Sequence, residues 1–175
     1  MTRTSTGGHE RRWSALRRSK STEELCMATT PLPQDFRDFL KLLEDENVDY
    51  LLIGGYAVGY YGYPRATADM DVWIAVNPAN AVKTVRALER FGMKTPEITA
   101  DLFLDKGKVI RMGVPPMRIE IQTGISGVEF DVCFARRRRV DMGDVQVNLI
   151  DLQDLKINKR ASGRHKDLED LEHLP

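Results

Sequence analysis

The chain has 175 residues, 42% of them apolar and 30% charged, with 26 lysines and arginines against 26 aspartates and glutamates; this is the size and make-up of one globular domain with a real core. The charge is unevenly spread: Met1 to Cys26 carries six basic against three acidic residues and leaves 20 against 23 for the rest, so the body lacks the broad basic footprint of a nucleic-acid-binding domain. Cys26 and Cys133 have neither ligand spacing nor a disulfide framework, so they give no zinc or redox site, and no run nears the ~20 apolar residues that span a bilayer.

A soluble protein with free thiols in a reducing, cytoplasmic compartment is expected, with no membrane partner. Residues 1–30 are rich in Ser, Thr, Gly and charge, and no apolar stretch follows Arg11-Arg12 or Arg17-Arg18, so they read as a disordered basic tail and not as an export signal. Met27, just before the first periodic helix, is an alternative start, which would make the tail a mis-assigned extension. Residues 31–175 form the single domain.

Pro33 to Asn47 sets Phe36, Phe39, Leu40 and Leu43 at helical spacing among acids, and leads into the apolar strand Tyr50 to Ile53. Gly54 and Gly55 break that strand, a short helix covers Tyr56 to Tyr61, and a turn lies around Gly62 to Pro64. Met70 to Val76 is the second strand. Pro78 opens a helix to about Phe91 with Val82, Val85 and Leu88 inward, and Gly92 ends it. Lys108 to Met112 and Met117 to Gln122 alternate as the strands of a hairpin linked by Gly113 to Pro116. Val140 to Leu149 reads as a second hairpin, closed at Gly143-Asp144. Asp151 caps a helix to about Ala161, Gly163 breaks it, and Lys166 to Leu174 is the last helix. This order predicts an α/β (α+β) fold, a mixed β-sheet flanked by helices.

The chemistry concentrates between Leu51 and Ile74. Asp69 and Asp71 are two apart, so in a strand both carboxylates share one face while Met70 and Val72 point to the core. Such a pair repels unless a cation lies between, and hard oxygen ligands open to phosphate suit Mg²⁺ better than zinc. The glycine pair, followed by a helix start with free N–H groups, suits a phosphate.

Strand, Gly-Gly, short helix and Asp-x-Asp in this order resemble the nucleotidyltransferase superfamily, the DNA polymerase β-like fold. Arg65-Ala-Thr-Ala-Asp-Met-Asp71 is similar to the Arg-x-Thr-x-Asp-x-Asp of small bacterial AbiEii toxin-like nucleotidyltransferases, and the likeness covers roughly Asp35 to the C-terminus. It implies a minimal nucleotidyltransferase fold that moves a nucleoside monophosphate from an NTP to a hydroxyl. Two Mg²⁺ ions about 4 Å apart, held by three carboxylates, would support the transfer. The acceptor can be RNA, such as a tRNA end, and the toxin-like relatives imply a neighbouring antitoxin protein as a further partner. The rival reading is a nucleotide-binding or protein-interaction module of the same fold without turnover.

Asp69 and Asp71 supply two of the catalytic, metal-holding carboxylates. Ile119-Glu120-Ile121 and Phe130-Asp131-Val132 both fit an acid on a neighbouring strand. The resemblance selects Glu120, because Arg118 to Gly127 looks like the family's third-acid segment, where aspartate is the usual residue. Gly54, Gly55, Arg65 and Thr67 are nucleotide-binding candidates, with Arg65 either forking onto phosphate or pairing with Asp69. The resemblance adds Lys159, matched with Arg164-His-Lys-Asp-Leu-Glu-Asp170, to neutralise the triphosphate, and Lys166 and Asp167 next, with Asp170 behind them. Tyr56, Tyr60, Tyr61 and Tyr63 could stack on a base but fit core packing better. Arg136 to Arg139 could grip a nucleic-acid backbone, but fits a charged sheet edge better. His165 reads as a surface residue.

Overall fold

The computed structural model describes residues 32–114 and 117–175; the expectations about the N-terminal tail and Met27 lie outside them. Among the described residues six helices surround one six-stranded mixed sheet, in the strand order Val109–Val114, Met117–Gln122, Asp69–Ile74, Tyr50–Ile53, Val145–Leu149, Arg138–Met142.

Helix α1 (Gln34–Asp45) buries Phe36, Phe39, Leu40 and Leu43, the i, i+3, i+4, i+7 stripe of its sequence, and packs on the strand Val145–Leu149 and the helix Pro78–Arg90. Strand β1 (Tyr50–Ile53) is buried along its whole length, as the apolar run requires for a central strand. Helix α2 (Gly54–Tyr60) begins at the first glycine, two residues before the expected start, and β2 (Asp69–Ile74) returns antiparallel to β1.

In α3 (Pro78–Arg90) the inward face differs from the expected one. Ala81, Thr84, Ala87 and Leu88 are buried, whereas Val82 is exposed and Val85 half-buried. The rotation follows from Asn80, whose buried amide donates to the carbonyls of Asp49 and Ala75 and accepts from the Asp49 N–H. Three hydrogen bonds to one side chain set the helix roll more firmly than one valine does.

Strands β3 (Val109–Val114) and β4 (Met117–Gln122) form the expected hairpin, with Gly113 and Val114 still paired, so the link shrinks to Pro115-Pro116, outside the described residues. Phe130 to Ala135 is a helix, α4, not a strand, with Phe130 packed on Trp73 and stacked on Phe134. An apolar-acid-apolar triplet fits either period, and here aromatic packing at i, i+4 chose the helix. The second hairpin, β5 (Arg138–Met142) and β6 (Val145–Leu149), takes in two of the four arginines, and β6 runs parallel to β1. The chain ends with α5 (Leu152–Ser162), capped by the Asp151 side chain, and α6 (His165–His173) packed against it. Among the described residues no helix is long and apolar enough to cross a membrane.

Candidate active site

The sheet register builds the centre of the site. Strands β2 and β4 are parallel, with Asp69 opposite Arg118 and Asp71 opposite Glu120. Because Ile53 faces Asp71 and Arg111 faces Glu120, one row crosses four strands as Ile53, Asp71, Glu120, Arg111. Like charges directly opposite each other destabilise a sheet, and the neighbours answer that charge. Arg118 donates to both oxygens of Asp69 at 2.9 and 2.8 Å, Arg111 donates to Glu120 at 2.8 Å, and the Gln122 amide donates to Asp71 at 3.0 Å.

Asp69 and Asp71 shift in opposite directions. Asp69 is held below the ordinary carboxylate range, first by its hydrogen bonds from Arg118. Among the described residues Asp71 has no cation in contact, and it is pushed up to about 6, first by burial and then by the negative charge of Glu120. Among the described residues no three Asp, Glu, His or Cys side chains stand together to hold a cation; two of these acids are turned to guanidinium groups instead.

The glycine pair is explained by what faces it. Gly54 has φ +66°, and a Cβ there would lie 2.0 Å from Asp71 Oδ2; a Cβ on Gly55 would lie 2.5 Å from Thr67 Oγ1. The pair therefore lets the Asp71 carboxylate and the Thr67 hydroxyl press against the backbone at the start of α2. Gly54→Ala is expected to lose about 1–3 kcal/mol. Gly107→Ala, at φ +78° with open space around the new methyl, serves as the control. Equal losses in thermal melts of the two variants would show that the Asp71 contact contributes nothing.

Behind the carboxylates lies an ionic chain centred on the buried Lys159, Asp167 and Asp170. Lys159 reaches Asp167 at 2.8 Å and Asp170 at 2.7 Å; Arg65 holds Asp170 through two nitrogens at 2.6 and 2.9 Å; Arg164 holds Asp167 at 2.7 Å. Burial pushes both carboxyls up, but these hydrogen bonds outweigh it and bring Asp167 down to about 2 and Asp170 below its ordinary value. Arg65 thus pairs with Asp170, not with Asp69, because the returning α6 delivers an acid to the loop while Arg118 already occupies Asp69.

Gly54, Gly55, Arg65, Thr67, Asp69, Asp71, Glu120, Lys159 and Lys166 all line one cleft of about 280 Å³, together with Arg111, Arg164 and Asp167. A second cleft of about 240 Å³ adjoins it at Gly54, Asp71, Lys159 and Arg164 and is lined further by Gln122, Ser126, Asn158 and Ser162. Asp131 lies on α4 and lines a different cleft, with Trp73 and Lys106, so it is no rival to Glu120 for a place beside Asp71.

Arg111, Arg118, Arg164 and Gln122 were missing from the sequence-predicted site. Arg118 and Gln122 flank Glu120 at i±2 and so share its face, a signal present in Arg118-Ile-Glu-Ile-Gln122; Arg111 needed the hairpin register. Three arginines of the run are engaged: Arg136 pairs with Asp154, Arg137 covers Phe134 and donates to its carbonyl, and Arg139 bonds Glu44 and Gln146. Tyr56 and Tyr61 are buried, Tyr61 donating to the Ile150 carbonyl, while Tyr63 stacks on His173. No protein-family model matches the chain, and no curated protein matches it.

Proposed function

We propose that this protein is a Mg²⁺-dependent nucleotidyltransferase of the DNA polymerase β-like superfamily, moving a nucleoside monophosphate from an NTP to a hydroxyl. The observation that carries the reading is convergence. Nine residues picked out along the sequence, from Gly54 to Lys166, line one cleft, and its lining sets carboxylates beside Arg65, Arg111, Arg164 and Lys166. Carboxylates beside cations are the two halves of a site for a polyphosphate and its metal.

By the chemistry of its ligands, though not by their grouping, the donor set suits Mg²⁺. It is oxygen-only, and Asp71 lies opposite Glu120 with an amide, not a cation, on its oxygens. Asp69, Asp71 and Glu120 would hold the metal, which when bound stabilises charge on the attacking and departing oxygens. The chain's own groups do the rest. Lys166 and Arg164 neutralise the triphosphate, while Lys159, committed to Asp167 and Asp170, holds α5 and α6 in place under them. Burial and the charge of Glu120 push Asp71 up to about 6 without a cation, and a cation held between the two would favour its ionised form.

An RNA acceptor and an antitoxin partner follow from the resemblance to AbiEii-like proteins and are proposed on that ground. The second reading, a nucleotide-binding module without turnover, is favoured by one observation: Arg118 and Arg111 already supply positive charge to Asp69 and Glu120.

Incubation with Mg²⁺, each α-labelled NTP and total bacterial RNA separates these readings. Label is expected in RNA with the intact chain and not with Asp69→Ala/Asp71→Ala. Pyrophosphate release without labelled RNA would keep the enzyme and move the acceptor elsewhere. Mg²⁺-dependent NTP binding with neither product would leave the silent module.

A further inference from the structure

A smaller cavity, of about 70 Å³, shares Gly55, Arg65 and Thr67 with the reactive cleft and is walled further by Arg37, Tyr56 and Met142. Two buried side-chain atoms among the described residues have no hydrogen-bond partner, Arg37 Nε and Arg65 Nη1, and both belong to residues that line this one cavity. A buried N–H donor left unpaired carries a full desolvation penalty, so two on one cavity call for an acceptor.

The surrounding charge says which kind. Arg37 and Lys41 share the single carboxylate of Asp144, and Arg65, Lys159 and Arg164 share Asp167 and Asp170. The first group holds one more cation than carboxylate, whereas the second also faces Asp71 and Glu120; no Asp or Glu is among the described residues lining the cavity. Water could accept from both guanidinium groups, and at roughly 30 Å³ each about two molecules would fill the space. Water would leave the excess charge of Arg37 and Lys41 standing. An oxygen anion answers the donors and the charge together.

We propose that this cavity binds a small oxyanion, a phosphate or a carboxylate, through Arg37 Nε and Arg65 Nη1. Arg37 stands outside the reactive cleft, so the site can be tested independently of nucleotidyl transfer. The test is calorimetric titration of the full chain, without metal or nucleotide, with inorganic phosphate and separately with acetate. Saturable binding is expected, weakened about tenfold or more by Arg37→Met, since a charge-assisted hydrogen bond is lost. It should tighten severalfold in Asp144→Asn, which frees Arg37 of its counter-charge, and stay unchanged in Arg111→Gln, which alters only the reactive cleft. Acetate following the same pattern would name a carboxylate; phosphate alone, a phosphate. Binding lost in Arg111→Gln but kept in Arg37→Met would place the ion among the catalytic carboxylates' neighbours and overturn the proposal. Absence of saturable binding by the folded chain would do the same, leaving water as the occupant. If Arg37→Met fails to fold, Asp144→Asn decides, and no tightening there rejects the site.

Discussion

Lys159→Met is expected to destabilise the protein by about 3–5 kcal/mol, the range for removing one partner of a buried ion pair. Its side chain is 4% exposed, and its ammonium touches the carboxylates of two side chains that are 3% and 0% exposed. Methionine keeps the stem but leaves Asp167 and Asp170 to Arg164 and Arg65 alone. Denaturant unfolding at pH 7 should show a lower midpoint at unchanged slope. The pH dependence gives a second check. Both acids have depressed values in the fold, so their stabilisation is complete above the ordinary value of 3.8 and is lost as pH falls, for Asp167 through about 2. The gap between wild type and variant should therefore narrow below about pH 4. A loss under about 1 kcal/mol, typical of an exposed pair, would mean that the ionic chain is not holding the C-terminal helices.

Asp71→Asn should have the opposite effect on stability and the larger one on function. The folded value near 6 lies above the ordinary 3.8, so the ionised carboxyl opposes folding. Stability contributed by the protonated form is present below about pH 4 and lost as pH rises through about 6, a total of about 3 kcal/mol at 1.4 per unit. Asparagine can still accept from Gln122 and removes the repulsion from Glu120. At pH 8 the variant is expected to melt higher than wild type, by about 1–3 kcal/mol in stability, with the advantage shrinking towards pH 4. Nucleotide turnover is expected to fall by on the order of 10³ or more, as when a charge-stabilising group is removed. A variant less stable than wild type at pH 8 would refute the electrostatic strain at Asp71, and one with full turnover would remove Asp71 from the proposed chemistry.

The parts of this architecture legible in the sequence are those set by local periodicity. The α1 stripe, the buried β1 run, the Asp-x-Asp alternation and the cap at Asp151 each rest on spacing within one element, and the structure carries all four. The errors fall where two local patterns were equally good. Val82 and Ala81 both begin helical stripes, and only the Asn80 bonds to Asp49 and Ala75 select between them. Phe130-Asp131-Val132 alternates like a strand, and only packing on Trp73 makes it a helix.

By itself the sequence determined which residues carry charge and chemistry, and that Asp69 and Asp71 share a face, because side-chain direction repeats every two residues in any strand. The tertiary structure decided their partners. Arg118 on Asp69, Glu120 opposite Asp71, and Arg65 on Asp170 join residues 49, 49 and 105 positions apart. Such pairings follow from strand register and from the return of α6 over the Arg65 loop. Register is set by the burial of the whole sheet, a property of all six strands at once and of no single segment.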